Sequence, residues 1–373
     1  MQRAIVGGGV LIVVLGAALG FWRWRVTMQA VTQTPYAAEL YDHILSPQLE
    51  RHPGASDRWA KFADRMAEVR RVRESLGDDA ERLRRFDIEQ LDADALPELA
   101  SAVEAARAAG LYELARDVAG IRVASRPYDE MRPDDYLVGV MFEEIPDARF
   151  LHWAQSARTR TALLRGLEGI QDRADVLGES LALAEIYSWQ ANILEYTVAW
   201  RFAIDTLRTE RLLLAREPID DDDQLRAIDA RIEVFQDRFA PASHVIGGDR
   251  FLALDSLHRM HTVGGRLDRR QSVEWDGTAQ ALGFDRGKYR GPLSESVDWL
   301  ERISASALSA ASSTGESIIE ADAEFESRMD AFANLGVGTG KRWPALSIVL
   351  NDYGKVIAYE RERRASWPPA RVS

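Results

Sequence analysis

Residues 179–217 read ESLALAEIYSWQANILEYTVAWRFAIDTLRTERLLLARE, with neither Gly nor Pro between Gly178 and Pro218. Free of both breakers, this stretch can run as helix for up to about 57 Å at 1.5 Å per residue. Leu181, Leu183, Ile186, Tyr187, Trp189, Ile193, Leu194, Tyr196, Val198, Trp200, Phe202 and Ile204 cover most of its circumference. A helix that is apolar nearly all round belongs at the centre of a bundle. Trp189 and Trp200 fall on nearly one face of it, three turns apart, so both are expected to be buried. The chain therefore reads as all-α: a helical bundle, or a solenoid-like array of helical hairpins, built around 179–217.

The flanking sequence extends that reading. Trp59, Phe62, Met66, Val69 and Leu76 recur at helical spacing, while Arg58, Lys61, Arg65, Glu68, Arg70 and Arg71 lie largely off that face. Leu96, Leu99, Val103 and Ala106 repeat the pattern, Gly110 interrupts it, and Leu111, Leu114, Ala115 and Val118 resume it, which predicts an αα-hairpin. No second copy recurs at a fixed period, so the hairpin is not one unit of a tetratricopeptide-type array. Phe150–Gly166, Leu293–Ala311, Ile318–Phe332 and Trp343–Arg364 are further helix candidates, and Tyr136–Phe142 is apolar enough for one short strand. The acidic run Asp220–Asp223 follows Pro218 and precedes an apolar helical pattern, the place for a helix N-terminus favoured by the macrodipole. It lacks the spaced oxygen ligands and turning Gly of a calcium loop.

At the N-terminus Ala4–Trp22 is an uncharged, mostly apolar run, followed by an aromatic and cationic belt at Phe21, Trp22, Arg23, Trp24 and Arg25. Its length matches the roughly 30 Å hydrocarbon core, and the belt suits a membrane interface. The expectation is an uncleaved single-pass signal anchor in the cytoplasmic membrane through residues 4–22, with the main domain on the non-cytoplasmic side. The competing reading is secretion after signal-peptide cleavage, since Gly16 and Ala18, or Ala18 and Gly20, meet the small-residue rule. The domain plan is then anchor and link over 1–34, a largely helical domain over 35–365 with a Gly-rich irregular insert at 247–292, and a frayed tail over 366–373.

Composition removes several function classes. Of 373 residues, 47 are Lys or Arg and 59 Asp or Glu, a formal charge of −12 that argues against a nucleic-acid partner. Residues 86–147 hold most of that excess. With no Cys there are no disulfides, thiolate nucleophiles, zinc knuckles or iron–sulfur ligands.

Candidate chemistry is sparse. Gly336-Val337-Gly338-Thr339-Gly340-Lys341 resembles a phosphate loop but has Leu335 where the first Gly belongs and Arg342 after the Lys, so it reads as an interhelical turn. Asp255, His258 and His261 are spaced three apart, which on a helix puts a carboxylate and two imidazoles near one face and makes them the candidate metal ligands. His43, His52, His152 and His244 are isolated, with no nucleophile-elbow context. Gly178-Glu179-Ser180 opens a long helix as in lytic transglycosylases, but no Gly-Leu-Met-Gln type segment accompanies it. Adjacent carboxylates such as Glu143 and Glu144 do not face one site on a helix. No catalytic residue, cofactor or cofactor-binding residue is assigned.

The segment Asp129–Leu267 carries an Arg-rich helix (Ala154–Arg165), a long apolar helix (Ala182–Leu214), then Gly248-Asp249-Arg250-Phe251-Leu252-Ala253-Leu254-Asp255 and Gly264-Gly265-Arg266-Leu267. It resembles a group of uncharacterised membrane-anchored helical proteins of planctomycete-type bacteria, departing from their pattern at Asp249, where Glu is usual. The resemblance implies an anchor and a helical domain, and no activity. The expected role is a membrane-anchored binding or scaffolding protein of the cell envelope with a protein partner. The rivals are an envelope hydrolase, metal-dependent or glycoside-cleaving, and a lipid-handling protein.

Overall fold

A computed structural model describes residues 23–25, 29, 36, 39, 42–43, 55–85, 96–121, 124, 126, 144–164, 173–190, 192–216, 221–259, 261–265, 293–339 and 353–366. Twelve helices run complete within them: α1 Ala55–Leu76, α2 Asp78–Arg85, α3 Leu96–Ala108, α4 Leu111–Ile121, α5 Ile145–Leu164 and α6 Arg173–Ser188; then α7 Ile193–Arg216, α8 Asp222–Arg238, α9 Ala242–Arg259, α10 Leu293–Ser312, α11 Ser317–Thr339 and α12 Tyr353–Ser366. Among the described residues there is no strand, so the all-α class holds.

The chain divides into two compact units. In the larger, which holds α1–α8 and α12, α6 packs against α4, α5, α7 and α8. Nearly every residue of α6 is buried, the charged Arg173, Glu179 and Glu185 included, as its central place among four helices requires. The apolar face of α1 is covered as its spacing predicts, with Phe62, Met66 and Val69 fully buried and Leu76 half-buried. The hairpin expected around Gly110 is α3 and α4, and Gly110 turns the chain at φ +78°, a left-handed conformation that glycine adopts without strain. The acidic run caps α8: the Asp221 carboxylate accepts from the Asp223 N–H, and Asp222 and Asp223 sit in the first turn. In the smaller unit α10 pairs with α11, burying Leu300, Ile303, Ala307 and Ala310, with Trp299 against Phe332 at 5.7 Å between ring centres.

The segment 179–217 is not one helix. It breaks at Trp189–Asn192, and its two parts pack on each other as α6 and α7. The break is made by side chains. Asn192 Oδ1 accepts from the Leu194 N–H at 2.6 Å, capping α7, and Gln190 Nε2 donates to the carbonyls of Ile186 and Ala124, both at 2.8 Å. Ser188 Oγ accepts from the Ala240 N–H, and Trp189 Nε1 donates to the Arg238 carbonyl at 2.6 Å. Trp189 and Trp200 are both buried, as expected, but Trp189 lies in the turn that follows α6 and Trp200 on α7; Trp200 stacks on Tyr359 of α12 at 5.4 Å.

Two Gly-based expectations change. Gly247 and Gly248 lie inside α9 instead of opening an irregular insert. A Cβ on Gly247 would stand 2.6 Å from Nε2 of His43, so the glycine admits that imidazole against the helix. Likewise α11 continues through Gly336 and Gly338 to Thr339, where a turn was expected.

The membrane placement is corrected. Among the described residues no helix is long and apolar enough to cross a membrane, which conflicts with a single-pass protein of the cytoplasmic membrane. Charge is the reason: the longest described helix, α7, carries Glu195, Arg201, Asp205, Arg208, Glu210, Arg211 and Arg216. The run Ala4–Trp22, the strand expected at Tyr136–Phe142, residues 266–292 and the tail from 367 lie outside the described residues.

Candidate functional site

The candidate site is a solvent-open groove of about 290 Å3 with α6 as its floor and α4 and α8 as its walls. Helical spacing aligns its lining. Asp175, Gly178, Glu179, Ala182 and Glu185 form one stripe of α6, Arg116, Ala119 and Gly120 one of α4, and Arg231, Val234, Phe235 and Arg238 one of α8. Each stripe follows the i, i+3, i+4 rule, so α6 and α8 offer small or apolar side chains between charged ones, and α4 offers Ala119 and Gly120 beside Arg116.

Two of the carboxylates are nearly buried: Glu179 and Glu185 are 9% and 7% exposed beneath Arg116 and Arg238, whose side chains are 63% and 28% exposed, whereas Asp175 at 54% is as open as its partner Arg231 at 45%. Arg116 Nε donates to Glu179 Oε1 at 3.3 Å, and Arg158, itself 4.9 Å over the Tyr112 ring, reaches the other Glu179 oxygen at 3.5 Å. Arg231 Nη2 binds Asp175 Oδ1 at 2.6 Å, and Arg238 lies 3.9 Å from Glu185. Burial raises the pKa of Glu179, and its two guanidinium partners oppose that rise. Three guanidiniums thus line the groove against three carboxylates, with Arg158 holding Glu179 from outside the lining, so both signs are finely divided along it.

A second polar cluster lies inside the same unit. Arg126 Nη2 donates to Glu144 Oε2 at 2.9 Å and to Glu195 Oε1 at 3.1 Å, with its guanidinium 4.4 Å over the Trp59 ring. Glu195 is fully buried at the start of α7, and its pKa is pushed up to about 7 by burial, against the pull of Arg126 and with the help of Glu144. The Tyr187 hydroxyl is buried nearby without a hydrogen-bond partner among the described residues, and burial raises its pKa well above the usual tyrosine range. Deeply enclosed, this cluster ties the Arg126 segment, the start of α5 and the α6–α7 turn together.

The candidate metal ligands are each engaged within the protein. Asp255 Oδ2 meets Arg259 Nε at 2.9 Å, His258 Nε2 pairs with the Tyr36 hydroxyl at 3.0 Å, and His261 Nδ1 donates to the Leu257 carbonyl at 2.6 Å. His261 lies beyond the end of α9, so the three do not share one helix face. Among the described residues no group of three or more His, Asp or Glu side chains is placed to hold a metal ion. His152 stacks on Phe202 at 4.4 Å, and burial lowers its pKa to about 3. His244 stacks on His43 at 5.2 Å, and burial lowers its pKa to about 4. Glu144 serves Arg126; Glu143 lies outside the described residues.

Of the groove residues, only Glu179 stood out in the sequence, and as a weighed acid/base candidate. The stripe Asp175, Glu179, Ala182, Glu185 was visible as spacing, but its partners Arg116 and Arg231 are 63 and 56 residues away from the carboxylates they meet. No protein-family model matches the chain, and no curated protein or solved structure matches it.

Proposed function

We propose that this chain is a helical binding or scaffolding protein whose α4–α6–α8 groove takes a polypeptide segment bearing charges of both signs. The observation that carries this reading is the open groove itself, which presents Arg116, Arg231 and Asp175 to solvent above the nearly buried Glu179 and Glu185, with Val234, 39% exposed, among them. Small-molecule sites are mostly apolar and enclosed, whereas protein interfaces favour Arg beside apolar contacts with a polar rim. A chain with alternating charges can exchange partners with the existing ion pairs without leaving a buried charge alone. Hydrolysis finds less support here: among the described residues no His, Ser or Tyr lines the groove, and Glu179 is occupied by two arginines. A lipid-handling role calls for an apolar cavity, and six charged side chains line this one.

The test is photo-crosslinking from residue 234, with Leu212, exposed on α7 outside the groove, as the control position. The polypeptide captured from 234 and not from 212 is then made separately and titrated. Arg231→Glu is expected to weaken its binding at least tenfold, and Arg226→Glu, outside the groove on the same helix, to leave it unchanged. Capture of no polypeptide from 234, or equal effects of the two reversals, overturns the reading.

A further inference from the structure

Arg126 is shared by two carboxylates and can neutralise only one. Its Nη2 donates to both Glu144 Oε2 and Glu195 Oε1, and the side chains of Arg126, Glu144 and Glu195 are 5%, 14% and 0% exposed. With both carboxylates ionised, this enclosed group would carry one net negative charge, which a low-dielectric interior disfavours. The other polar groups around it leave that excess in place. Asp147, in the first turn of α5, takes both Arg70 and Arg73 of α1 at 2.9 and 2.8 Å, and these two side chains are open enough to be screened by water. Tyr187 of α6 is a phenol that burial keeps neutral, and Trp59 of α1 offers the guanidinium its ring face. Glu195 Oε2 has no hydrogen-bond partner among the described residues, so a proton can sit there while Oε1 still accepts from Arg126.

The two carboxylates differ in their freedom to leave. Glu195 lies wholly enclosed in the first turn of α7, whereas Glu144 is the more open of the two. The Glu144 carbonyl accepts from the Asp147 and Ala148 N–H groups at 3.1 and 2.9 Å, so its side chain can turn while the backbone stays on α5. We propose that these three residues form a proton-driven partner exchange: with Glu195 protonated, Glu144 neutralises Arg126, and when that proton leaves for solvent, Arg126 pairs with Glu195 alone and the Glu144 side chain turns into water. The buried group is then neutral in both states. Burial, opposed by Arg126 and helped by Glu144, pushes the Glu195 carboxyl up to about 7, so the Glu144-bound form belongs below neutral pH and the Glu195-bound form above it. Gln190 holds the backbone at Ala124 and Arg126 to the α6–α7 turn in either state. The exchange therefore makes or releases one tie between that backbone and the start of α5.

An NMR titration of the full chain, carbon-13-labelled at glutamate and nitrogen-15-labelled throughout, tests this between about pH 5 and pH 9. The Glu195 carboxyl carbon is expected to titrate near neutral pH, and the Asp147 and Ala148 amide resonances to shift with the same midpoint as the Glu144 side chain leaves. In Glu195→Gln those amide shifts are expected to vanish, because Glu144 then keeps Arg126 throughout. In Glu144→Gln the Glu195 midpoint is expected to fall by about one pH unit or more, since the Glu195 carboxylate then has Arg126 to itself. Should Glu144→Gln fail to fold, the wild-type and Glu195→Gln titrations decide. A Glu195 carboxyl that does not titrate in this range, amides that do not follow it or that still shift in Glu195→Gln, or a midpoint unmoved by Glu144→Gln overturns the exchange.

Discussion

Replacing Glu195 by Gln probes the buried Arg126 cluster most sharply. The folded-state pKa of about 7 compares with 4.5 for the free side chain, so the folded protein holds a proton that the unfolded chain has released. The stabilisation that goes with this proton is fully present below pH 4.5 and is lost as pH rises through 7. At about 1.4 kcal/mol per unit, the loss is on the order of 3 kcal/mol between pH 4.5 and well above 7. Glutamine keeps the shape and cannot ionise, while Glu144 still neutralises Arg126 at 2.9 Å. Urea unfolding at pH 5 and pH 8.5 is the assay. Wild-type stability is expected to fall between the two, the variant to show a flatter dependence, and the variant to be the more stable of the pair at pH 8.5 by about 1–3 kcal/mol. A variant less stable than wild type at pH 8.5 would refute the reasoning, because it would show that an ionised Glu195 is needed to hold Arg126.

Trp200→Ala is expected to cost roughly 3–5 kcal/mol in the same unfolding assay, since the indole is 4% exposed and stacks on Tyr359. Asn192→Ala removes the cap of α7 and should cost about 1 kcal/mol. The two helical glycines should differ: an Ala Cβ at 178 meets Arg231 at 3.7 Å, ordinary contact, so Gly178→Ala should stabilise by up to about 1 kcal/mol. Gly247→Ala should instead displace the His43 ring, read as a shift of its imidazole resonances in NMR. Chelator treatment should leave the melting temperature unchanged, as Asp255, His258 and His261 are each held by a protein partner.

Helix faces were readable where one face alone is buried. The steps of Trp59, Phe62, Met66 and Val69 gave α1 its inner side, and the patterns around Gly110 gave the α3–α4 hairpin. The Asp220–Asp223 run was readable too, because a cap acts within a few residues. The break in 179–217 escaped a search for Gly and Pro, although Asn192 followed by Glu195 has the spacing of a capping box. Gly247 resembled a loop residue because what requires it, the His43 ring, comes from about two hundred residues away. The groove was illegible for the same reason: local spacing supplies its carboxylate stripe, but the guanidiniums that make it a site arrive from other helices.

Hydrogen exchange of the chain, alone and with the polypeptide captured from residue 234, tests the groove reading most directly. Slowed exchange is expected in 111–121, 173–188 and 222–238, which contribute the three walls. Protection elsewhere, with those three segments unchanged, would contradict it.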